Sequence, residues 1–418
     1  MKNYHERELE SQLSKLFKTF PVVTITGPRQ SGKSTLIKHF ISEQKNKWEY
    51  LSLDEREVAL DIKDDVSMFV KSIKSNIAID EAQKVPELFH SIKKIVDDGF
   101  PHKIILSGSA NFLLLKSITE SLTGRAGILE LLPFSLSEAY SVKSNKIIEK
   151  IISSNNADEL FDKLSKNILT ISEDKLFSFI FNGGYPKLYQ DKNVDRNDLY
   201  KSYITTYIER DLRDLTQIAD LDSFQKIYKL LAFQSSGIIN FSSLSSDAGI
   251  DLKTVKKHSS ILEASYQCKL LNPYLFSSRK RLIKSPKIFF FDTGILNYLY
   301  ANDSFDMMLN RGQWGAILET FVFSEIYKNI KDLSKRVSIY FWRTSNGAEV
   351  DFILENGPNL YPIEVKSKVK IDSFTIKGIK SFIETYGSKK VPFGIVFYMG
   401  DRVKFVEKNI LCIPLQML

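Results

Sequence analysis

GPRQSGKST, Gly27 to Thr35, follows the apolar run FPVVTIT (20–26) and precedes the amphipathic stretch LIKHFISEQ (36–44). The run is rich in β-branched residues and reads as a buried strand, and the stretch has helical spacing, so the glycines fall where a strand turns into a helix. That context makes the nine residues a phosphate-binding loop. Gly27 and Gly32 let the backbone curl close to a ligand, with successive N–H groups and the positive helix end aimed at phosphate oxygens. Pro28, Arg29, Gln30 and Ser31 complete the cradle, with Thr35 at its helical end. Lys33 is expected to reach the terminal phosphates and the Ser34 hydroxyl to ligate Mg²⁺, which names ATP and magnesium as the ligands.

The 418 residues are 43% hydrophobic and 26% charged, which exceeds the size of one ordinary core and predicts more than one domain. Lys+Arg 58 against Asp+Glu 50 gives a net charge of +8 and a pI near 9.0, a surplus that permits a DNA partner without requiring one. Cys268 and Cys412 lie too far apart for a metal-ligand spacing or a disulfide framework. The charged N-terminus and the lack of any apolar run of membrane-spanning length predict a cytoplasmic protein with no membrane partner.

Past the loop, WEYLSLD (48–54), NIAIDEAQ (76–83), HKIILSGSA (102–110) and GILELLP (127–133) alternate with helix-like segments. This is the pattern of a parallel sheet wrapped by helices, an α/β P-loop NTPase core. Ile77, Ala78 and Ile79 lead into Asp80 and Glu81, which places both carboxylates at the C-terminal end of a buried strand, where open α/β sheets keep their ligands. Asp80 is expected to hold Mg²⁺ through its water shell, and Glu81 to orient and deprotonate the attacking water. Ser107, Ser109 and Asn111 end the next strand at the same sheet edge, either as simple turn residues or with Ser109 among the phosphate contacts. Arg125, in LTGRAG (122–127), is either an arginine finger for its own or a neighbouring subunit, which would imply a homo-oligomer, or a surface residue paired with a carboxylate.

The order of these motifs resembles prokaryotic AAA-superfamily ATPases that carry a C-terminal domain of unknown function. The resemblance rests on GPRQSGKST, AIDEAQKVP (78–86), ILSGSANFLLL (105–115), LTGRAGILELLPFSLSEA (122–139), NGGYP (182–186), YIERDLRDL (207–215), KSPKIFFFDTG (284–294), GAEVDFIL (347–354) and PIEVKSK (362–368). It implies an ATPase domain over 1–139, a helical lid or linker over 140–222, a further helical domain over 223–292 and an α/β domain over 293–418. It also hints at a structural or coupling role for Arg210 and Asp211, which otherwise read with Glu209 as helix-surface charges.

FQKIYKLLAFQS (224–235), FSSLSSDAGI (241–250) and DLKTVKKHSSILEASY (251–266) look like a winged helix-turn-helix, with Gly249 at the tight turn and Asp251 as the cap of the third helix. Thr254, Lys256, Lys257 and His258 then fall where a recognition helix meets DNA, with SSRKRLIKSPK (277–287) as a basic wing; a protein partner is the alternative. In the last domain, Asp351 sits within the apolar strand VDFIL (350–354). Glu364 and Lys366 share one face of YPIEVKSK (361–368), while Ile363 and Val365 face the other. A carboxylate followed by Glu-x-Lys on the next strand resembles the core of restriction-endonuclease-like nucleases, and Glu319 in WGAILETFVF (314–323) matches the acidic residue on that family's first helix. The resemblance implies that Asp351, Glu364 and Glu319 bind Mg²⁺ and that Lys366 positions or activates water; the alternatives are charges at a strand edge or a nuclease fold without chemistry.

Overall fold

The computed structural model describes residues 4–108, 120–166, 169–207, 221–275, 281, 284–333 and 335–418. Five parallel strands form the first sheet: β1 Val22–Thr26, β2 Trp48–Ser52, β3 Asn76–Asp80, β4 Ile104–Ser107 and β5 Ala126–Glu130, in the order β2-β3-β4-β1-β5. Every residue of VVTIT is buried, as a strand covered on both faces requires. One face packs Val22, Ile77, Ile79 and Leu106 against Leu88, Phe89 and Ile92 of α2 (Glu87–Asp97). The other packs Val23, Ile25, Ala78 and Ile105 against Leu36, Ile37 and Phe40 of α1 (Lys33–Ser42). Because all five strands run the same way, the chain after β1 and the chain after β3 emerge at one edge, separated by the width of β4, about 10 Å.

A helical region follows, including α3 (Leu136–Ala139), α4 (Glu173–Asn182) and α5 (Arg196–Thr206). Two motifs remote in sequence meet here. Asp292 is buried and caps α6, the helix Thr293–Leu299, by accepting from Ile295 N at 2.9 Å; it also accepts from Gly184 N at 2.7 Å and from Tyr200 Oη at 3.1 Å. A Cβ on Gly183 would lie 2.3 Å from Asp292 Oδ1, so NGGYP and FDTG are two halves of one clasp.

Three helices, α7 (Leu221–Phe233), α8 (Phe241–Ala248) and α9 (Leu252–Ala264), then lead into an antiparallel pair, β6 (Cys268–Leu271) and β7 (Lys287–Phe290). Asn240 caps α8 through Ser242 N and Ser243 N, Gly249 ends it at φ 68°, and Asp251 caps α9 through Thr254 N at 2.9 Å. The long helix α10 (Trp314–Lys331) precedes a six-stranded mixed sheet of β8 Ser338–Arg343, β9 Glu349–Asn356, β10 Asn359–Lys366, β11 Gly394–Tyr398, β12 Lys404–Glu407 and β13 Ile410–Pro414, in the order β12-β13-β11-β10-β9-β8. The helix α11 (Lys377–Tyr386) packs on β9 and β10. One apolar core runs from Leu132 to Leu418, so the helical region, the hairpin and one face of this sheet share buried side chains. The chain breaks expected at 222/223 and 292/293 fall within it. No described helix is long and apolar enough to cross a membrane.

Candidate nucleotide site and the carboxylate cluster of the last sheet

The loop after β1 closes on itself. Gly27 adopts φ 150°, and a Cβ there would sit 2.1 Å from the Leu131 carbonyl oxygen, whose residue is tied to β1 by Leu131 N donating to Thr26 O at 2.7 Å. Gly32 adopts φ 96° in the left-handed region just before α1. Ser31 is buried, and its hydroxyl donates to Pro28 O at 2.9 Å. Lys33 is 6% exposed, and its Nζ donates to Gly27 O at 3.1 Å and Pro28 O at 2.7 Å, so the amine sits inside the curl of the loop. Pro28 is buried, while Arg29, Gln30, Ser34 and Thr35 are at least partly open. A cavity beside Gly32 and Thr35 is walled by Tyr4, His5, Phe134, Pro186 and Gln190.

Asp80 reaches the same edge from β3. Its Oδ2 accepts from Tyr50 Oη at 2.7 Å, and its Oδ1 accepts from Ser107 Oγ and from Glu81 N at 3.1 Å. Burial pushes its carboxyl up, but the hydrogen bonds of Ser107, Ser34 and Tyr50 and the Lys33 charge outweigh burial and hold the group below the ordinary carboxylate range. The result is an ionised carboxylate, a serine hydroxyl and a lysine amine gathered at the mouth of the loop. These hard oxygens suit a magnesium ion. Glu81, half-buried, turns away from β3 in the left-handed conformation, φ 56° and ψ 40°, and its carboxylate accepts from the Gln83 amide.

Not every expected residue arrives there. Arg125 precedes β5, and Ala126 pairs with Val22 at the start of β1, so the arginine occupies the sheet edge opposite the loop. It pairs there with Asp97, Nη2 to Oδ2 at 3.0 Å, and donates to Thr123 O at 3.1 Å. The strand length alone places it about 15 Å from its own loop. Ser109, Asn111, Glu209, Arg210, Asp211 and most of the basic wing lie outside the described residues. On α9, Lys253, Lys256 and Lys257 are exposed and Thr254 half-buried, but His258 is turned inward, 4% exposed, its ring 5.0 Å from that of Phe224. It belongs to the core of the three helices and not to the basic face.

In the last sheet, Ile363 pairs with Phe352, which sets Glu364 beside Asp351 on adjacent strands. Both are buried, at 5% and 7% exposure. Asp351 Oδ2 accepts from Val365 N at 2.8 Å, and Glu364 Oε2 pairs with Lys366 Nζ at 2.6 Å. Glu319 approaches from α10 and pairs with Lys287 Nζ at 3.9 Å; the same amine meets Glu349 Oε1 at 2.5 Å. Burial first, then the neighbouring Asp351 charge, pushes the carboxyls of Glu319 and Glu364 up to about 8. The Lys366 amine is lowered by burial, but Glu364 and Asp351 outweigh that and hold it up. Glu319, Asp351, Glu364 and Lys366 therefore do share one face. Among the described residues, however, no three His, Cys, Asp or Glu side chains are close enough together to hold a metal ion. As arranged, Glu364 pairs with Lys366 and Glu319 with Lys287, while Asp351 accepts from the Val365 backbone. Lys287, expected at the end of the basic wing, is instead buried and paired with Glu319 and Glu349; Glu349 had no role assigned from sequence.

The fold and the loop define a P-loop nucleotide-binding protein. A family model described as "AAA domain" matches residues 19–140, and two described as domains of unknown function, DUF8612 and DUF4143, match 173–306 and 314–418. Residues 19–140 are thus similar to an AAA domain, and most of the remainder to domains of unknown function. It is 26% identical over 362 residues to an uncharacterized protein of Mycobacterium tuberculosis, covering 86% of this chain and 73% of that one. An uncharacterized protein of Methanocaldococcus jannaschii is 25% identical over 346 residues, covering 80% and 72%. A Walker-type ATPase of Pyrococcus abyssi aligns with 71% of this chain and 96% of its own at a TM-score of 0.45 and 17% identity.

Proposed function

We propose that the protein binds and hydrolyses ATP at the Gly27–Thr35 loop. The observation that carries this reading is the convergence of buried Lys33, Ser34 and ionised Asp80 at one sheet edge. Loop N–H groups and Lys33 hold the phosphates. Ser34, and Asp80 through water, would hold a magnesium ion that neutralises phosphate charge. Glu81 orients the attacking water and takes its proton, released from the Gln83 amide when the nucleotide is in place.

We further propose that the three helices and hairpin act as a winged helix whose Lys253, Lys256 and Lys257 face DNA, with ATP turnover driving or licensing action on it. A second reading makes the nucleotide domain a regulatory switch whose C-terminal domains only bind partners, protein or nucleic acid. The pairing of Glu364 with Lys366 and of Glu319 with Lys287 favours this second reading for the last sheet. ATP hydrolysis measured with and without duplex or single-stranded DNA, with cleavage followed in the same tube, separates the two. DNA-stimulated hydrolysis with Mg²⁺- or Mn²⁺-dependent nicking supports the first; salt-dependent binding without nicking supports the second. No hydrolysis under any of these conditions rejects the ATPase assignment.

A further inference from the structure

The phosphate loop is held from outside by a residue that its motif does not include. Arg7, ahead of β1, is 7% exposed. Its Nη1 donates to the Ser31 carbonyl at 2.9 Å, its Nη2 to the Leu132 carbonyl at 2.7 Å, and its Nε lies 3.0 Å from Glu138 Oε1. Glu138 is itself fixed, accepting from Ser135 N at 2.9 Å and Glu8 N at 3.0 Å. The chain between Glu130 and Glu138 is gripped on its other side by α10. There Glu325 accepts from Leu136 N at 3.0 Å, Lys328 Nζ donates to Phe134 O at 2.8 Å, and Lys331 pairs with Glu130 at 2.9 Å. A cavity between Arg7, Glu8, Glu138, Lys328 and Asp332 marks the seam.

We propose that Arg7 is a positioning residue of the nucleotide site and that α10 completes the support behind it, so that tight nucleotide binding requires the last domain; this rests on the nucleotide-binding reading above. The C=O and N–H of one trans peptide point in opposite directions, so holding the Ser31 carbonyl fixes the direction of the Gly32 N–H. Glycine leaves that peptide plane free to rotate, because no Cβ resists the turn. The orientation of a phosphate-facing N–H therefore depends on the guanidinium that holds the other end of its peptide. Only a planar fork serves two carbonyls and a carboxylate at once, and a lysine cannot. The support is continuous: Arg7 rests on Glu138 and Leu132, and that segment rests on Glu325 and Lys328. The same helix carries Glu319 to the carboxylate cluster, six residues or about 9 Å along its axis from Glu325.

The test is titration of the full chain with a fluorescent ATP analogue, steady-state ATP hydrolysis, and thermal melting, for the wild type, Arg7→Met, Arg7→Lys and Lys328→Met. The expected result is at least about a tenfold loss of affinity in Arg7→Met, a smaller loss in Arg7→Lys, and a rise in KM in Lys328→Met. kcat at saturating ATP should stay within about threefold of the wild type, since none of these side chains touches Glu81. A merely structural role lowers the melting temperature and leaves KM, measured well below melting, unchanged; that outcome overturns the proposal. Should Arg7→Met fail to fold, Arg7→Lys decides, because it keeps the charge beside Glu138: wild-type affinity in folded Arg7→Lys rejects the positioning role, and weakened affinity supports it. A wild type that binds no nucleotide rejects the site reading itself.

Discussion

Replacing Glu81 by glycine and by alanine reverses the usual order of the two residues. Glu81 is held at φ 56° and ψ 40°, where an L-residue pays about 1–2 kcal/mol relative to the right-handed region. Glycine removes that cost and adds about 0.5–1 kcal/mol of chain entropy to be lost on folding. Both variants lose the hydrogen bond from Gln83, and for a half-buried pair this costs about 0.5–1.5 kcal/mol in each. Glu81→Ala keeps the strain and loses the bond. Glu81→Gly loses both, so it should be the more stable of the two by up to about 1.5 kcal/mol, and close to the wild type. Urea unfolding of both variants, followed by a probe in the first sheet, measures the difference as a shift in midpoint at constant slope. Hydrolysis should be lost in both. An alanine variant as stable as the glycine variant, or a glycine variant that still turns over ATP, refutes the reasoning: the first removes the strain, the second the role of the carboxylate.

Other consequences are equally direct. Lys256→Ala with Lys257→Ala should weaken DNA binding across all sequences and flatten the slope of log affinity against log salt, by up to about one unit per lost phosphate contact; an unchanged slope assigns α9 to a protein partner. The carboxyls of Glu319 and Glu364 titrate higher in the folded chain than in the unfolded one, so the stability they confer when protonated is present in acid and is lost as pH rises from the ordinary carboxylate range through about 8. Hydrogen-exchange protection of β9 and β10, taken relative to the base-catalysed intrinsic rate, should accordingly fall from pH 6 to 9, and constant protection would contradict the burial of these groups. If a cation can displace Lys366, Mn²⁺ should slow that exchange at pH 9 and support nicking that is lost in Asp351→Ala and Lys366→Ala, with ATP hydrolysis retained. No effect of Mn²⁺ leaves a partner-binding sheet.

What could be read from the chain was local. The loop, its strand and its helix are contiguous, and Asp80 and Glu81 follow an apolar strand whose end is fixed by strand direction, so the nucleotide edge was legible before any packing was known. For Arg125 the sequence left open an arginine finger or a surface pair with a carboxylate, and the structure has it paired with Asp97 ahead of β5, because which edge a residue occupies depends on whether it precedes or follows its strand. The inward turn of His258 was available in principle: with Val255, Ser259 and Leu262 it follows the buried helical period of α9. The partners of Arg7, Tyr50 and Lys287 were out of reach, because they lie on strands and helices whose adjacency only the sheet order reveals. Asp292 and Gly183 were visible as motifs, but their pairing links positions more than a hundred residues apart.

The central claim, that one edge of the first sheet binds ATP and hydrolyses it, is tested most directly by titrating Lys33→Ala and Glu81→Gln with a fluorescent ATP analogue while following phosphate release. Lys33 is the buried amine inside the loop and Glu81 lies outside it, so the first variant should lose binding and the second should bind like the wild type and release no phosphate. Wild-type affinity in Lys33→Ala, or undiminished phosphate release in Glu81→Gln, would contradict the account.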